Sequence, residues 1–102
     1  MTRKDIYNFK QLEGFIPTQL DGLKNGYIHQ FGFTTNELRT IRIRLETRSR
    51  YDSTKVFAVY YRGRLFGIYL LSEYARVKKD IEYLLCKYGW ENTHTIVNGG
   101  ER

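Results

Sequence analysis

Val56 to Leu71 reads V-F-A-V-Y-Y-R-G-R-L-F-G-I-Y-L-L, and this stretch decides the fold class. Two runs rich in β-branched and aromatic residues flank Arg62-Gly63, a two-residue connection with glycine at the second central position, where positive φ is needed. Counting out from that turn opposes Val59 to Phe66 and Phe57 to Ile68. One face of the hairpin then holds Phe57, Val59, Phe66, Ile68 and Leu70, and the other Val56, Ala58, Tyr60, Leu65, Gly67, Tyr69 and Leu71. Both faces are largely apolar, so both call for cover by a second layer or a partner subunit.

Working outward, Thr40 to Arg50 places Ile41, Ile43 and Leu45 on one side of a strand and Arg42, Arg44, Arg48 and Arg50 on the other, with Glu46 among them. A helix of about 100° per residue scatters both sets, and the β-branched content also favours a strand, which extends the hairpin to a three-stranded meander. Downstream, Ser72 is a natural N-cap for a helix over Glu73 to Tyr88. Val77, Ile81, Leu84, Leu85 and Tyr88 form its apolar stripe, and Gly89 stands at the stop. Trp90 follows, Thr93 to Val97 reads as a short strand, and Asn98 to Arg102 as a flexible tail. Upstream, Thr2 is expected to cap a short helix carrying Ile6, Phe9 and Leu12 or Phe15 and stopping at Gly14. Phe15 to Asn25, with Pro17, Asp21-Gly22 and Asn25-Gly26, reads as connector. Tyr27, His29, Phe31 and Phe33 alternate as a strand with an aromatic face, and Thr34 to Glu37 has capping-box spacing. The expectation is one α+β domain, an antiparallel sheet of three to four strands packed against one long amphipathic helix.

At 102 residues the chain is long enough for one core and short for two. Cys86, the sole cysteine, excludes an internal disulfide, which suits a reducing, cytoplasmic setting; no apolar run reaches the roughly 18 residues of a membrane span. The net charge is +6, and it is unevenly placed. Asn36 to Arg64 holds eight basic residues against three acidic ones, a net of +5, leaving +1 for the other 73 residues. A localised field of one sign marks a surface for an anionic partner, since it costs self-repulsion without helping a core.

The candidate contacts are Arg42, Arg44, Arg48 and Arg50, with Arg62 and Arg64 at the hairpin tip. All six are arginine, whose planar fork matches phosphate. Tyr60 and Tyr61, and Tyr69 beyond them, stand beside the arginines as possible base-stacking rings. The bland alternative is a solvated face whose arginine stems cover apolar surface. His29, His94 and Cys86 have no ligand spacing, so no metal and no cofactor is expected. Cys86, next to Leu84 and Leu85, is expected as inert packing. Asp52 and Asp80 are the scattered carboxylates that a metal-assisted nuclease would have to use. Gly67-Ile68-Tyr69 matches the first half of the GIY-YIG nuclease signature, and the second half is absent.

The order of meander then helix, over about half the chain, resembles the DNA-binding domains at the amino ends of tyrosine recombinases and plant AP2-type domains. That resemblance implies a sheet seated in a DNA groove with the helix behind it. In its short, tyrosine-rich, motif-free style the chain is also similar to small orphan proteins of viruses, particularly filamentous viruses of archaea, which would place it in a host cell's interior. The expected function is non-enzymatic nucleic-acid binding, DNA before RNA, by a homodimer that sets two basic patches side by side. The alternative is a protein-interaction module, such as an inhibitor of a host factor, using the same basic or tyrosine-rich surface on an acidic partner.

Overall fold

The computed structural model describes residues 2–5, 9–35, 39–88 and 93–98, with side chains over 13–35 and 39–87. The elements run β1 (Thr2–Asp5), α1 (Phe9–Lys24), β2 (Ile28–Thr34), β3 (Thr40–Thr47), β4 (Lys55–Tyr61), β5 (Arg64–Leu70), α2 (Tyr74–Tyr88) and β6 (Thr93–Asn98). All strands join one antiparallel sheet in the order β1-β6-β2-β3-β4-β5. The class is α+β with the meander in place, but the sheet has six strands rather than three or four, and a second helix accompanies α2.

Two N-terminal expectations give way. Thr2–Asp5 is a strand and not the start of a helix, because β6 offers it an open ladder that satisfies backbone groups a first helical turn leaves bare. Phe9–Lys24 is one helix straight through Gly14 and the supposed connector. Pro17 has no N–H to give the carbonyl of Glu13, yet Ile16, Leu20 and Leu23 recur at helical spacing and are all buried, and that burial overrides the breaker. Thr18 Oγ1 also donates to the Gly14 carbonyl at 2.9 Å. The helix stops where Asn25-Gly26 predicts: Tyr27 N–H donates to the Gly22 carbonyl at 2.8 Å, and Gly26 takes φ 79°.

Both helices cover the same sheet face. Ile16, Leu20 and Leu23 of α1 and Val77, Ile81, Leu84 and Leu85 of α2 share one cluster with Phe31, Phe33, Ile41, Ile43, Phe57, Val59 and Tyr69. Tyr74 ties the helices together, donating its hydroxyl to Asp21 at 2.8 Å while its ring packs edge-on against Phe57. Glu73, not Ser72, caps α2: its carbonyl accepts from Val77 N–H, and its carboxylate accepts from Leu70 N–H at 2.7 Å. Cys86 lies on the exposed side of α2, so the expectation of a packed cysteine is corrected. Of the expected capping box, Thr34 ends β2 opposite Thr40 and Thr35 N–H donates to the Arg39 carbonyl, while Glu37 lies outside the described residues, as do Gly89, Trp90, the end of the tail and the side chains of Phe9, Leu12 and Tyr88. Among the described residues no helix is long and apolar enough to cross a membrane.

Two bulges move side chains between faces. In β2 the register against β6 shifts between Ile28 and Gln30, so Ile28 joins Phe31 and Phe33 in the core, while Tyr27 and His29 are exposed rather than part of an aromatic face. In the β4–β5 hairpin, Tyr61 opposes Arg64 as counted from the turn, but a shift between Val59 and Tyr60 then opposes Val59 to Gly67 and Phe57 to Tyr69. Phe66 is the extra residue. Beyond it the expected faces exchange: Tyr69 turns into the core, and Ile68 and Leu70 turn out. Gly67 is required beside Tyr69, because a Cβ there would strike the phenol ring. That ring lies along the strand and donates to Asp80 at 2.6 Å, so the Gly-Ile-Tyr letters serve packing.

Candidate functional site

With both helices on one side, the other face of β3 to β5 is uncovered among the described residues, and β3 supplies its charge. The alternation of buried Ile41 and Ile43 with exposed Arg42 and Arg44 is the pattern the sequence predicts. Thr40, Arg42, Arg44, Tyr60 and Gly63 border a depression of about 180 Å³. That is below the roughly 300–1,000 Å³ of small-molecule sites, so it suits a single phosphate-sized group. Tyr60 opposes Arg42, whereas Glu46 opposes Val56. The Tyr60 hydroxyl nevertheless donates to Glu46, at 2.7 and 2.9 Å from its two oxygens, so the ring must run along the sheet above Ala58. Val56 and Ala58 are accordingly buried although they lie on the face away from the helices.

Glu46 also approaches Arg44, with Nε 3.8 Å from Oε2. The Arg44 side chain remains 53% exposed, and an ion pair of that kind is worth about 0–1 kcal/mol, little enough for an incoming anion to replace. No carboxylate among the described residues pairs with Arg42, Arg62 or Arg64. The hydrogen bond to Glu46 holds the Tyr60 hydroxyl protonated above the usual phenol range.

The remaining arginines divide. β3 ends at Thr47, so Arg48 is not a strand residue as expected, yet it returns to the open face beside Val56, Ile68, Leu70, Glu73 and Arg76. Arg50 leaves the row: it sits in the loop that follows, with its guanidinium 5.8 Å from the ring of the nearly fully exposed Tyr51. That loop is braced internally. Ser49 Oγ accepts from Tyr51 and Asp52 N–H, and Asp52 accepts from both the N–H and the hydroxyl of Thr54, which draws the Asp52 carboxyl below its usual range. Arg62 and Arg64 border a second depression at the hairpin end with Tyr61, Leu65 and Phe66. Arg62 adopts φ 58°, a left-handed conformation uncommon for a long side chain.

Of the three tyrosines, only Tyr60 shares the arginine face. Tyr61 opposes Ile41 and packs against the helix-facing core, and Tyr69 is buried in it, because residues odd-numbered on β4 point inward and the bulge carries Tyr69 with them. Sequence reasoning missed Arg76, which comes from α2, stacks its guanidinium 5.6 Å from the Tyr69 ring and pairs with Glu73 at 3.0 Å. It also missed that Ile68 and Leu70 join Leu65 on the side of the arginines; no residue signals the bulge that turns them out. Asp52 and Asp80 are committed to Thr54 and Tyr69 on separate elements. Among the described residues no three His, Cys, Asp or Glu side chains converge. The chain matches no family model, no curated protein and no solved structure.

Proposed function

We propose that this is a non-enzymatic nucleic-acid-binding protein that takes phosphates on its open sheet face, chiefly through Arg42, Arg44 and Arg48. Arg62 and Arg64 extend the surface at the hairpin end and Arg50 at the loop end. The observation that supports this best is the position of Arg42 and Arg44: adjacent on the one uncovered face, around a phosphate-sized depression, with Arg42 lacking any carboxylate partner among the described residues. Their two-residue separation on a strand is about 6.8 Å, comparable to the spacing of successive phosphates along an extended strand. Arg62 adds to the reading, because the two-residue turn requires φ > 0 there, where asparagine or glycine is the easier residue, and an arginine instead puts a charge at the tip.

The second reading, docking of an acidic protein segment, draws on the aliphatic row beside the arginines and keeps the same surface. Either partner is met in the cell interior, where the exposed Cys86 thiol stays reduced. Fluorescence anisotropy with labelled oligonucleotides at several salt concentrations separates the readings. Four neutralised phosphates give a log–log slope of about −2.8 on single strands or −3.6 on duplex. Arg42→Ala/Arg44→Ala/Arg48→Ala is expected to abolish binding while leaving the circular dichroism spectrum unchanged. Flat titrations at low salt, with binding to poly-glutamate instead, would overturn the nucleic-acid reading.

A further inference from the structure

The open face is two-toned across its strands. β3 carries the arginines, β4 a floor of Val56, Ala58 and the recumbent Tyr60, and β5 an exposed aliphatic row in which Leu65, Ile68 and Leu70 are 51%, 44% and 43% accessible. Two inter-strand spacings, about 9.6 Å, separate the arginine row from the aliphatic row. A contiguous apolar strip of this kind marks an interaction surface.

Several occupants are disfavoured by the same geometry. A second copy laid face to face would bury Arg42 and Arg44 against their own duplicates or, with the twofold along β4, over the partner's aliphatic row, in either case with few carboxylates to pair them. A peptide strand added to the β5 edge meets the bulge at Phe66 and the Leu70 N–H already taken by Glu73. Duplex DNA fits poorly because the sheet spans five inter-strand gaps, about 24 Å, against a major groove about 12 Å wide. β3, flanked by β2 and β4, cannot enter such a groove, and the aliphatic row would face phosphate and water.

We infer that the ligand is a single-stranded nucleic acid whose phosphates follow the arginines of β3 and whose unpaired bases lie over Tyr60, Ile68 and Leu70. This rests on the nucleic-acid reading above and specifies it. A nucleotide reaches from phosphate to the far edge of its base across about the separation of the two rows. Tyr60, held along the sheet by Glu46, offers a ring face, and the aliphatic side chains receive the bases that follow without choosing among them. The surface is therefore tolerant of sequence and intolerant of pairing.

The test is anisotropy with three labelled probes of equal phosphate count: oligo-dT, a duplex, and an abasic oligomer with the same backbone. Oligo-dT is expected to bind about tenfold or more tighter than the abasic oligomer, since each stacked base contributes on that scale. Tyr60→Ala/Ile68→Ser/Leu70→Ser is expected to bring oligo-dT binding down toward that of the abasic oligomer, and Ile68→Ser/Leu70→Ser alone to narrow the gap in part. The wild-type comparison needs no variant, so a misfolded variant cannot rescue the inference. Equal binding of oligo-dT and abasic probe, or preference for duplex, would overturn the single-strand inference and leave phosphate binding standing. No binding to any of the three would overturn both.

Discussion

Arg62 occupies a left-handed backbone position that asparagine or glycine fills at lower cost, so its presence trades stability for a charge at the hairpin tip. Arg62→Asn is expected to stabilise the fold by about 1 kcal/mol, a Tm rise of roughly 4–8 °C for a chain this size, while weakening oligonucleotide binding. A thermal melt paired with anisotropy checks both, and loss of stability would contradict the strain. Tyr69 offers a second residue-scale test. Burial, and then its hydrogen bond to Asp80, raises its phenol far above the ordinary range near 10. A group raised in the folded state contributes stability below its unfolded pKa and loses it as pH rises. Stability should therefore decline above about pH 10, and the decline should be shallower in Tyr69→Phe, which at neutral pH costs about 1–2 kcal/mol. Urea denaturation across the alkaline range reads the difference. At this scale the sequence was legible for Arg42 and Arg44, because one-sided burial writes a period of two. It was not for Tyr61, whose face depends on which strand side the helices choose.

Among the elements, β3 and α2 were readable because each buries one face only, leaving alternation in the first and a 3.6-residue stripe in the second. α1 was not, since Pro17 and Asp21-Gly22 spell a turn and only the packing of Ile16, Leu20 and Leu23 on the sheet makes them helical. Pro17→Ala should restore the bond to the Glu13 carbonyl and raise stability by about 1–3 kcal/mol, and a fall in Tm would show that the ring itself is needed for packing. The β5 bulge left no trace because both faces of the hairpin are apolar, so a shift of one residue changes no pattern. Its far end is held by Glu73, whose carboxyl is drawn below its usual range by the Leu70 N–H and then by Arg76. A depressed carboxyl contributes stability above its unfolded pKa, near 4.3, and loses it as pH falls through the folded value. Amide exchange at Leu70 should therefore lose protection below about pH 4, and in Glu73→Ala at neutral pH as well. Unchanged protection in both cases would remove Glu73 as the cap.

For the whole molecule, two helices on one side of a six-stranded sheet leave the other side of β3 to β5 exposed among the described residues, and Arg42, Arg44 and Arg48 stand there with Glu46, while Arg62 and Arg64 lie at the hairpin tip and Arg50 in the loop after β3. The sequence pointed to a dimer to cover the second face of the hairpin. Val56 and Ala58 are covered from within the same chain, and on the single-strand reading proposed above the aliphatic row receives bases, so on that reading light scattering should report a monomer of 12.2 kDa in the absence of nucleic acid. A stable dimer that oligo-dT does not dissociate would assign that row to self-association instead. The most direct test of the open face as the contact surface is a titration of ¹⁵N-labelled protein with oligo-dT, followed by amide shifts. Changes should concentrate at Arg42, Arg44, Arg48, Tyr60, Ile68 and Leu70. Shifts confined to the outer surfaces of α1 and α2, with β3 to β5 unmoved, would contradict it.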